Sequence, residues 1–94
     1  LHSLTARRAV VLGAPYDDVR RSVAGNPNTP PEVLAVLAED PDIDVRWDVA
    51  GNPNTPAGTL LVLAADPYDW VREEAVANPN LPPAGAAAAG LLAD

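Results

Sequence analysis

Cysteine and lysine are both absent from this chain of 94 residues, and its one histidine, His2, lies beside the first residue. Without cysteine the chain has no disulfide, no thiolate zinc site and no cysteine-ligated iron–sulfur cluster. No Gly-rich phosphate loop, Ser–His–Asp set or HExxH pattern is present either. These absences predict a protein that is not an enzyme and that needs no cofactor or metal.

Basic charge is also scarce, since six arginines stand against thirteen acidic residues and the formal net charge is −7. Nucleic-acid affinity is built largely from clustered Lys and Arg, so no nucleic-acid partner is expected. An anionic membrane would repel the chain, and no apolar run approaches the roughly 20 residues that cross a bilayer. No signal-peptide pattern opens the chain, so we expect a cytoplasmic protein. Its first residue is Leu and not Met, which indicates a piece of a longer protein.

Repetition is what the sequence has in abundance. The stretch "VAGNPNTP" occurs at 23–30 and again at 49–56, and an eroded copy, "AVANPNLP", ends at Pro82. The two exact copies are offset by 26 residues (49 minus 23), and the same shift aligns a third copy over most of its length. We expect the polar positions that recur with this period to serve packing within and between repeats: Arg20, Arg46, Arg72, Asn26, Asn52, Asn78, Asn28, Asn54 and Asn80.

Each period contains two segments that begin like helices. Asp40 and Asp66 each precede a proline, and Thr29 and Thr55 do the same, so all four are predicted N-caps. Glu32 follows Thr29 by three residues and would complete a capping box.

The connector between the two helices is predicted from "GNPN". Gly25 is expected to close the first helix in the left-handed conformation, and Pro27 cannot continue it. The repeated motif is therefore interpreted as a corner that ends one helix and starts the next.

The first helix of each repeat, here the A helix, is predicted near 16–24, 42–50 and 68–77. The second, the B helix, is predicted near 30–39, 56–65 and 82–93, and residues 4–13 are predicted to form a degenerate leading B helix. Helices this short are not stable alone in water, so they must stack on one another, and some could be 3₁₀. We predict an all-α solenoid without β-sheet, one domain over 1–94 divided into 1–14, 15–40, 41–66 and 67–94, the last with a C-terminal cap.

The stretch "DPDIDVRWDVAGNPNTPAGTLLVLAAD" resembles the leucine-rich repeat variant family of bacteria, and the resemblance covers roughly residues 14–94. It implies alternating α and 3₁₀ helices wound in a right-handed superhelix. Some members carry an iron–sulfur cluster in a separate cysteine-bearing segment, a feature that cannot be carried over to a chain without cysteine. In the last copy Ala77 replaces the Gly and Leu81 replaces the Thr of the motif, as is typical of a terminal repeat.

Two tryptophans break the repeat and are the first candidate contact residues. Trp47 stands where the other copies have Arg21 and Glu73, and Trp70 stands where they have Asp18 and Asp44. Because those equivalents are charged, both indoles are expected on one solvent-facing surface, with Tyr68 at its edge. The alternative is that each indole folds over a repeat junction and extends the core.

The B helices supply a second candidate surface, since "VLAVLA" and "LLVLAA" are apolar on nearly every side. Leu34, Leu37, Leu60 and Leu63 are expected in the core. The residues then left facing outward are Ala35, Val36, Leu61 and Val62.

These features predict a non-catalytic scaffold for protein–protein interaction or assembly, which binds through its exposed aromatic and apolar positions. A structural appendage that stabilises or orients a neighbouring domain is the alternative. The expected partner is another protein or a neighbouring domain, and a homo-oligomer is left open.

Overall fold

A computed structural model of the chain describes residues 16–82, which contain five α-helices and no strand. The A helices are α1 (Asp17–Gly25), α3 (Ile43–Gly51) and α5 (Asp69–Ala77). The B helices are α2 (Pro31–Leu37) and α4 (Ala57–Leu63). The predicted leading B helix at 4–13 and nearly all of the last B helix at 82–93 lie outside the described residues.

The helices form a layered stack in which A helices pack side by side, α1 against α3 and α3 against α5. Each described B helix packs against the A helix that follows it, α2 against α3 and α4 against α5. Leu34, Leu37, Leu60 and Leu63 are fully buried between them, as predicted. The all-α repeat architecture is therefore confirmed, while the right-handed winding stays a prediction.

The B helices are shorter than predicted because their last turn tightens. The amide of Glu39 donates to the carbonyl of Val36 at 3.1 Å, and the amide of Asp40 donates to that of Leu37 at 3.1 Å. These are bonds to the residue three before, which satisfy the free carbonyls at the helix end. Between residues 16 and 82 every helix is α, so the 3₁₀ helices implied by the resemblance are not seen there.

The predicted aspartate caps are wrong by two residues. Helix α3 is capped by Asp42, whose carboxylate accepts a hydrogen bond from the amide of Asp44 at 2.8 Å. Asp40 instead accepts from the amide of Asp42, and Asp66 from the amide of Tyr68, so both shape the turn before the helix. Their carboxylates are also occupied by arginines, which explains why they stand outside the helix.

The predicted threonine caps are wrong as well. The N-cap residues of α2 and α4 are Pro30 and Pro56, with no side-chain cap bond at either helix, so the capping box with Glu32 does not form. The threonine hydroxyls point back to the preceding helix: Thr29 donates to the carbonyl of Val23 at 2.6 Å, and Thr55 to that of Val49 at 2.7 Å. Each threonine thereby closes the C-terminal end of an A helix.

Gly25 does not adopt the left-handed conformation that was predicted for it. It is the last helical residue of α1, and the chain leaves the helix at Asn26 with φ −79° and ψ 120°, which is extended backbone. Asn26 and Asn52 precede prolines, which disfavour helical geometry at the residue before them. The proline, and not a positive φ at glycine, ends the A helix.

Candidate functional site

The recurring asparagines bind backbone carbonyls of the preceding repeat. The amide nitrogen of Asn52 donates to the carbonyls of Ala24 and Asn26 at 2.6 and 2.9 Å. Asn78 repeats this pattern one period later, on the carbonyls of Ala50 and Asn52, both at 2.9 Å. These bonds supply partners for carbonyls freed at the ends of A helices, which is a structural role.

The second asparagine of each connector, Asn54 or Asn80, also donates to backbone carbonyls of the connector in the preceding repeat. Asn54 donates to the carbonyl of Thr29 at 2.7 Å, and Asn80 donates to the carbonyl of Thr55 at 3.0 Å and to that of Pro53. Between residues 16 and 82 no buried side-chain nitrogen or oxygen lacks a hydrogen-bond partner. The buried polar side chains of the motif are therefore all engaged within the stack.

The first two recurring arginines join their A helices, α1 and α3, to the aspartate that ends the same repeat. Arg20 reaches Asp40 with Nε at 2.8 Å, and Arg46 reaches Asp66 with Nε at 2.7 Å. In both pairs a second nitrogen, Nη2, lies 3.4 Å from the other carboxylate oxygen. The hydrogen bond to Asp40 is the main reason why the pKa of Arg20 lies above its ordinary value.

The acids that pair with Arg20 and Arg46 lie 20 residues further along the chain, although Asp17 and Asp44 stand much closer in the sequence. Two of the arginines also bind the backbone of the preceding repeat. Nη1 of Arg46 donates to the carbonyl of Asp40 at 2.8 Å, and Nη1 of Arg72 donates to the carbonyl of Asp66 at 2.7 Å. These contacts of the recurring arginines all serve the packing of repeats.

Arg21 and Asp48 form an ion pair between adjacent repeats that the sequence did not reveal. Nε of Arg21 lies 2.8 Å from Oδ2 of Asp48. This hydrogen bond and the charge of Asp48 raise the pKa of Arg21, and Asp44 adds a smaller effect in the same direction. The pair escaped detection because the other copies have Trp47 and Glu73 at the position of Arg21, so no periodic signal marks it.

The two tryptophans lie together, as expected. Their ring centroids are 6.4 Å apart with an interplanar angle of 37°, which is within the range of favourable aromatic pairs. Trp70 is 44% exposed, whereas Trp47 is half-buried and packs against the core cluster. Trp47 therefore extends the core at the junction of α3 and α5 and supports Trp70, which presents the accessible face.

Tyr68 is exposed and belongs to a different contact from the indole pair. Its ring centroid lies 5.8 Å from Cζ of Arg46, which is a cation–π geometry. Arg46 also pairs with Asp66, and Asp66 accepts a hydrogen bond from the amide of Tyr68, so the three residues contact one another. Its place at the edge of the tryptophan surface stays a prediction.

The outward face of the B helices is only partly exposed. Ala35 is exposed, and so are Leu61 at 39% and Val62 at 61%. The prediction that Val36 faces outward is wrong, because this residue is only 6% exposed. It lies three residues after Val33, on the same side of a helix whose Val33 packs in the core.

Neither a metal centre nor a membrane segment is found in the described part of the chain. Residues 16–82 contain no group of three or more His, Cys, Asp or Glu side chains placed to hold a metal ion. Within the same range none of the helices has the length and apolarity to cross a bilayer. The arrangement offers ion pairs, buried amide bonds and an aromatic surface, which are the means of packing and of contact.

The family model described as leucine rich repeat variant matches residues 17–42 and 43–67. These two adjacent units span α1 to α4 and have the period read from the repeated motif. No match to the chain was found among curated proteins or among solved structures.

Proposed function

Because this chain belongs to the leucine rich repeat variant family, a helical repeat type that often mediates protein interactions, we propose that it is a non-catalytic scaffold that binds or assembles other proteins. The family is a structural repeat and is not known as catalytic. The recurring arginines and asparagines are engaged in holding the repeats together, so a function of the chain would be carried by its contact surfaces.

The indole pair is the observation that carries this proposal. Trp70 exposes almost half of its side chain while its ring rests against Trp47, which is itself anchored in the core. A rigid, partly exposed aromatic loses little conformational freedom when a partner covers it, and tryptophan is enriched among residues that dominate binding energy. Trp70 is therefore the proposed anchor and Trp47 its support.

Charge selects among partners. The net charge of −7, with acids three residues from each indole at Asp44 and Glu73, disfavours nucleic acid and anionic membranes and favours a protein with basic character. We place this interaction in the cytoplasm.

The test compares partner capture by the wild-type chain and by three variants. Trp70→Ala removes the anchor from an exposed position, and Trp47→Ala together with Trp70→Ala removes the pair. Tyr16→Ala is the matched control, because Tyr16 is an exposed aromatic residue outside the indole surface. We expect both tryptophan variants to fail to cross-link the proteins that the wild-type chain cross-links, and we expect Tyr16→Ala to cross-link them as wild type does. The helical circular dichroism of Trp70→Ala should be unchanged, which shows that this variant is folded. Equal capture by wild type and folded Trp70→Ala would show that the aromatic surface is not the binding site.

A structural appendage is the second candidate, favoured by the exposed B-helix residues Leu61 and Val62. A neighbouring domain that packs there would bury both, as the core buries Leu60 and Leu63. We expect the isolated chain to bind an apolar dye at this face and Val62→Asp to abolish that binding. Absence of dye binding by the wild-type chain would remove the argument for a covered B face.

A further inference from the structure

The first A helix exposes residues whose copies are buried at every internal interface. Val19 is 47% exposed, whereas its copies Val45 and Val71 are fully buried. Val23 is half-buried, whereas its copies Val49 and Ala75 are fully buried. In α3 and α5 these side chains are covered by the preceding A helix, whereas among residues 16–82 no A helix precedes α1 to cover Val19. We call this surface of α1 the leading end.

The last described A helix shows the converse. Ala24 and Ala50 are fully buried beneath the A helix that follows them, but their copy Val76 is half-buried. Val76 lines a groove of about 300 Å³ together with Asp69, Arg72, Glu73 and Ala77. This groove lies where a following A helix would pack, and we call it the trailing end.

The polar groups at the two ends match each other. At each internal interface an asparagine amide donates to two carbonyls of the preceding repeat, as Asn52 does to those of Ala24 and Asn26. The corresponding donor at the leading end is Asn26, an exposed residue whose Oδ1 accepts a hydrogen bond from the amide of Asn28. The corresponding carbonyls at the trailing end are those of Val76 and Asn78.

We propose that copies of this chain stack head to tail, with Val19 of one copy in the groove beside Val76 of the next and its Asn26 donating to the carbonyls of Val76 and Asn78. This contact continues the interface already present between repeats. Because it joins two different surfaces it is heterologous, and it grows open-ended chains rather than closed dimers. It uses neither the indole pair nor the B-helix face, so it stands independently of the proposed function.

Steric fit at the new junction is favourable. Inside the stack, Glu74 lies so close to Gly51 that a Cβ there would be 2.7 Å from its Oε2. At the junction between copies the residue at the glycine position is Ala77, but the residue facing it is Ser22, the small copy of Glu74. The extra methyl group of Ala77 is therefore matched by a shorter side chain opposite.

Charge at the junction is unfavourable and sets its strength. Arg21 bonds Asp48 across the first interface and lies near Asp44. Between two copies of the chain, Glu73 at the trailing end takes the place of Arg21. At the leading end, Ser22 takes the place of Asp48 and Asp18 that of Asp44. The carboxylates of Glu73 and Asp18 therefore face each other. Salt screens such repulsion, and we expect association to become tighter as ionic strength rises.

Sedimentation velocity of the full chain, from micromolar to millimolar concentration, tests the proposal. We expect the average mass to rise past that of a dimer and to rise further in high salt. Asn26→Asp keeps Oδ1 as the acceptor of the turn but removes the donor, and should weaken association about tenfold or more. Glu73→Arg places an arginine where Arg21 stands in the first repeat, and should tighten association about fivefold or more. The control Ala65→Glu adds the same charge as Asn26→Asp at an exposed position whose copy is Glu39, and should change nothing.

Direction is tested by blocking one end at a time. Asn26→Asp blocks the leading end and Ala77→Glu blocks the trailing end, where Ala77 is exposed. Each variant alone should associate weakly, and an equimolar mixture should stop at pairs, because only one intact junction can form. A wild-type chain and a Glu73→Arg chain that both remain monomeric at millimolar concentration would overturn the proposal. So would a closed dimer that Asn26→Asp leaves intact.

Discussion

Asn52 and Asn26 occupy the same place in consecutive copies of the motif but make different numbers of bonds. Asn52 is buried and makes three hydrogen bonds, two as donor to carbonyls and one as acceptor from the amide of Asn54. Asn26 is exposed, and its side chain accepts one bond, from Asn28. We therefore expect Asn52→Ala to lower the free energy of unfolding by about 2–4 kcal/mol, since the buried carbonyl of Ala24 and the part-buried carbonyl of Asn26 each lose a donor.

The matched substitution Asn26→Ala should lower the free energy of unfolding by less than about 1 kcal/mol, because only an exposed turn bond is lost. Urea unfolding of both variants at low micromolar concentration measures the difference. Similar losses for the two variants would show that the inter-repeat amide bonds contribute little and that the turn bond is what matters.

Asp66 provides a second comparison at the scale of one side chain. Its carboxylate is nearly buried, and it receives Arg46 and the amide of Tyr68. Asp66→Asn keeps an acceptor for that amide but removes the charge that faces a guanidinium, so we expect a loss of about 2–3 kcal/mol in unfolding free energy. Thermal unfolding monitored by circular dichroism measures it, with Asp69→Asn as an exposed control that should leave stability nearly unchanged. An equally small effect of Asp66→Asn would mean that the ion pair between Arg46 and Asp66 contributes little to stability.

At the scale of the helix, two glycines end A helices in different surroundings. A Cβ at Gly25 would meet nothing within 4 Å, while one at Gly51 would lie 2.7 Å from Oε2 of Glu74. Neither glycine needs a positive φ, so Gly25→Ala should stabilise the protein by about 0.5–1 kcal/mol through helix propensity. Gly51→Ala should gain less, because Glu74 must move.

A double-mutant cycle isolates that clash. We expect Gly51→Ala to recover the gain seen for Gly25→Ala once Glu74→Ala is also present, as measured by chemical denaturation. Additive effects of the two substitutions would indicate that the flexible carboxylate moves aside at no cost.

The helices themselves were predictable, whereas their caps were not. Apolar spacing and the NPN corner predicted the five helices that lie within residues 16–82 in the right order and nearly the right place, because each signal is local. Asp40 and Asp42 both precede α3 and both suit a cap, and the choice between them depends on Arg20, whose guanidinium engages Asp40 from 20 residues away. Thr29 likewise donates back to Val23 rather than forward, because its hydroxyl faces the end of α1. Helix-capping patterns consider only residues at the start of the helix, so they do not predict the binding of Asp40 to Arg20 or of Thr29 to Val23.

At the scale of the whole molecule, burial follows position in the stack more than residue type. Val36 and Val62 are copies one period apart, yet Val36 is buried and Val62 is largely exposed. The same holds for Val19 against Val45. A helix read alone cannot distinguish such pairs, so the sequence misplaced Val36 among the contact residues. The indole pair was predictable because the repeat fixes which positions of adjacent A helices are neighbours.

If stability is a sum over stacked neighbours, adding a repeat should raise it. Inserting a second copy of residues 41–66 after Asp66 keeps the 26-residue register, so every arginine, asparagine and apolar position meets its usual partner. We expect a higher urea midpoint and an m-value larger by roughly a quarter, because more surface is buried on folding. The control is a flexible Gly/Ser insertion of equal length at the same point, which only adds loop entropy and should lower the midpoint. A longer chain with an unchanged m-value would mean that the extra unit does not fold onto the stack, and that the interfaces between repeats are not interchangeable.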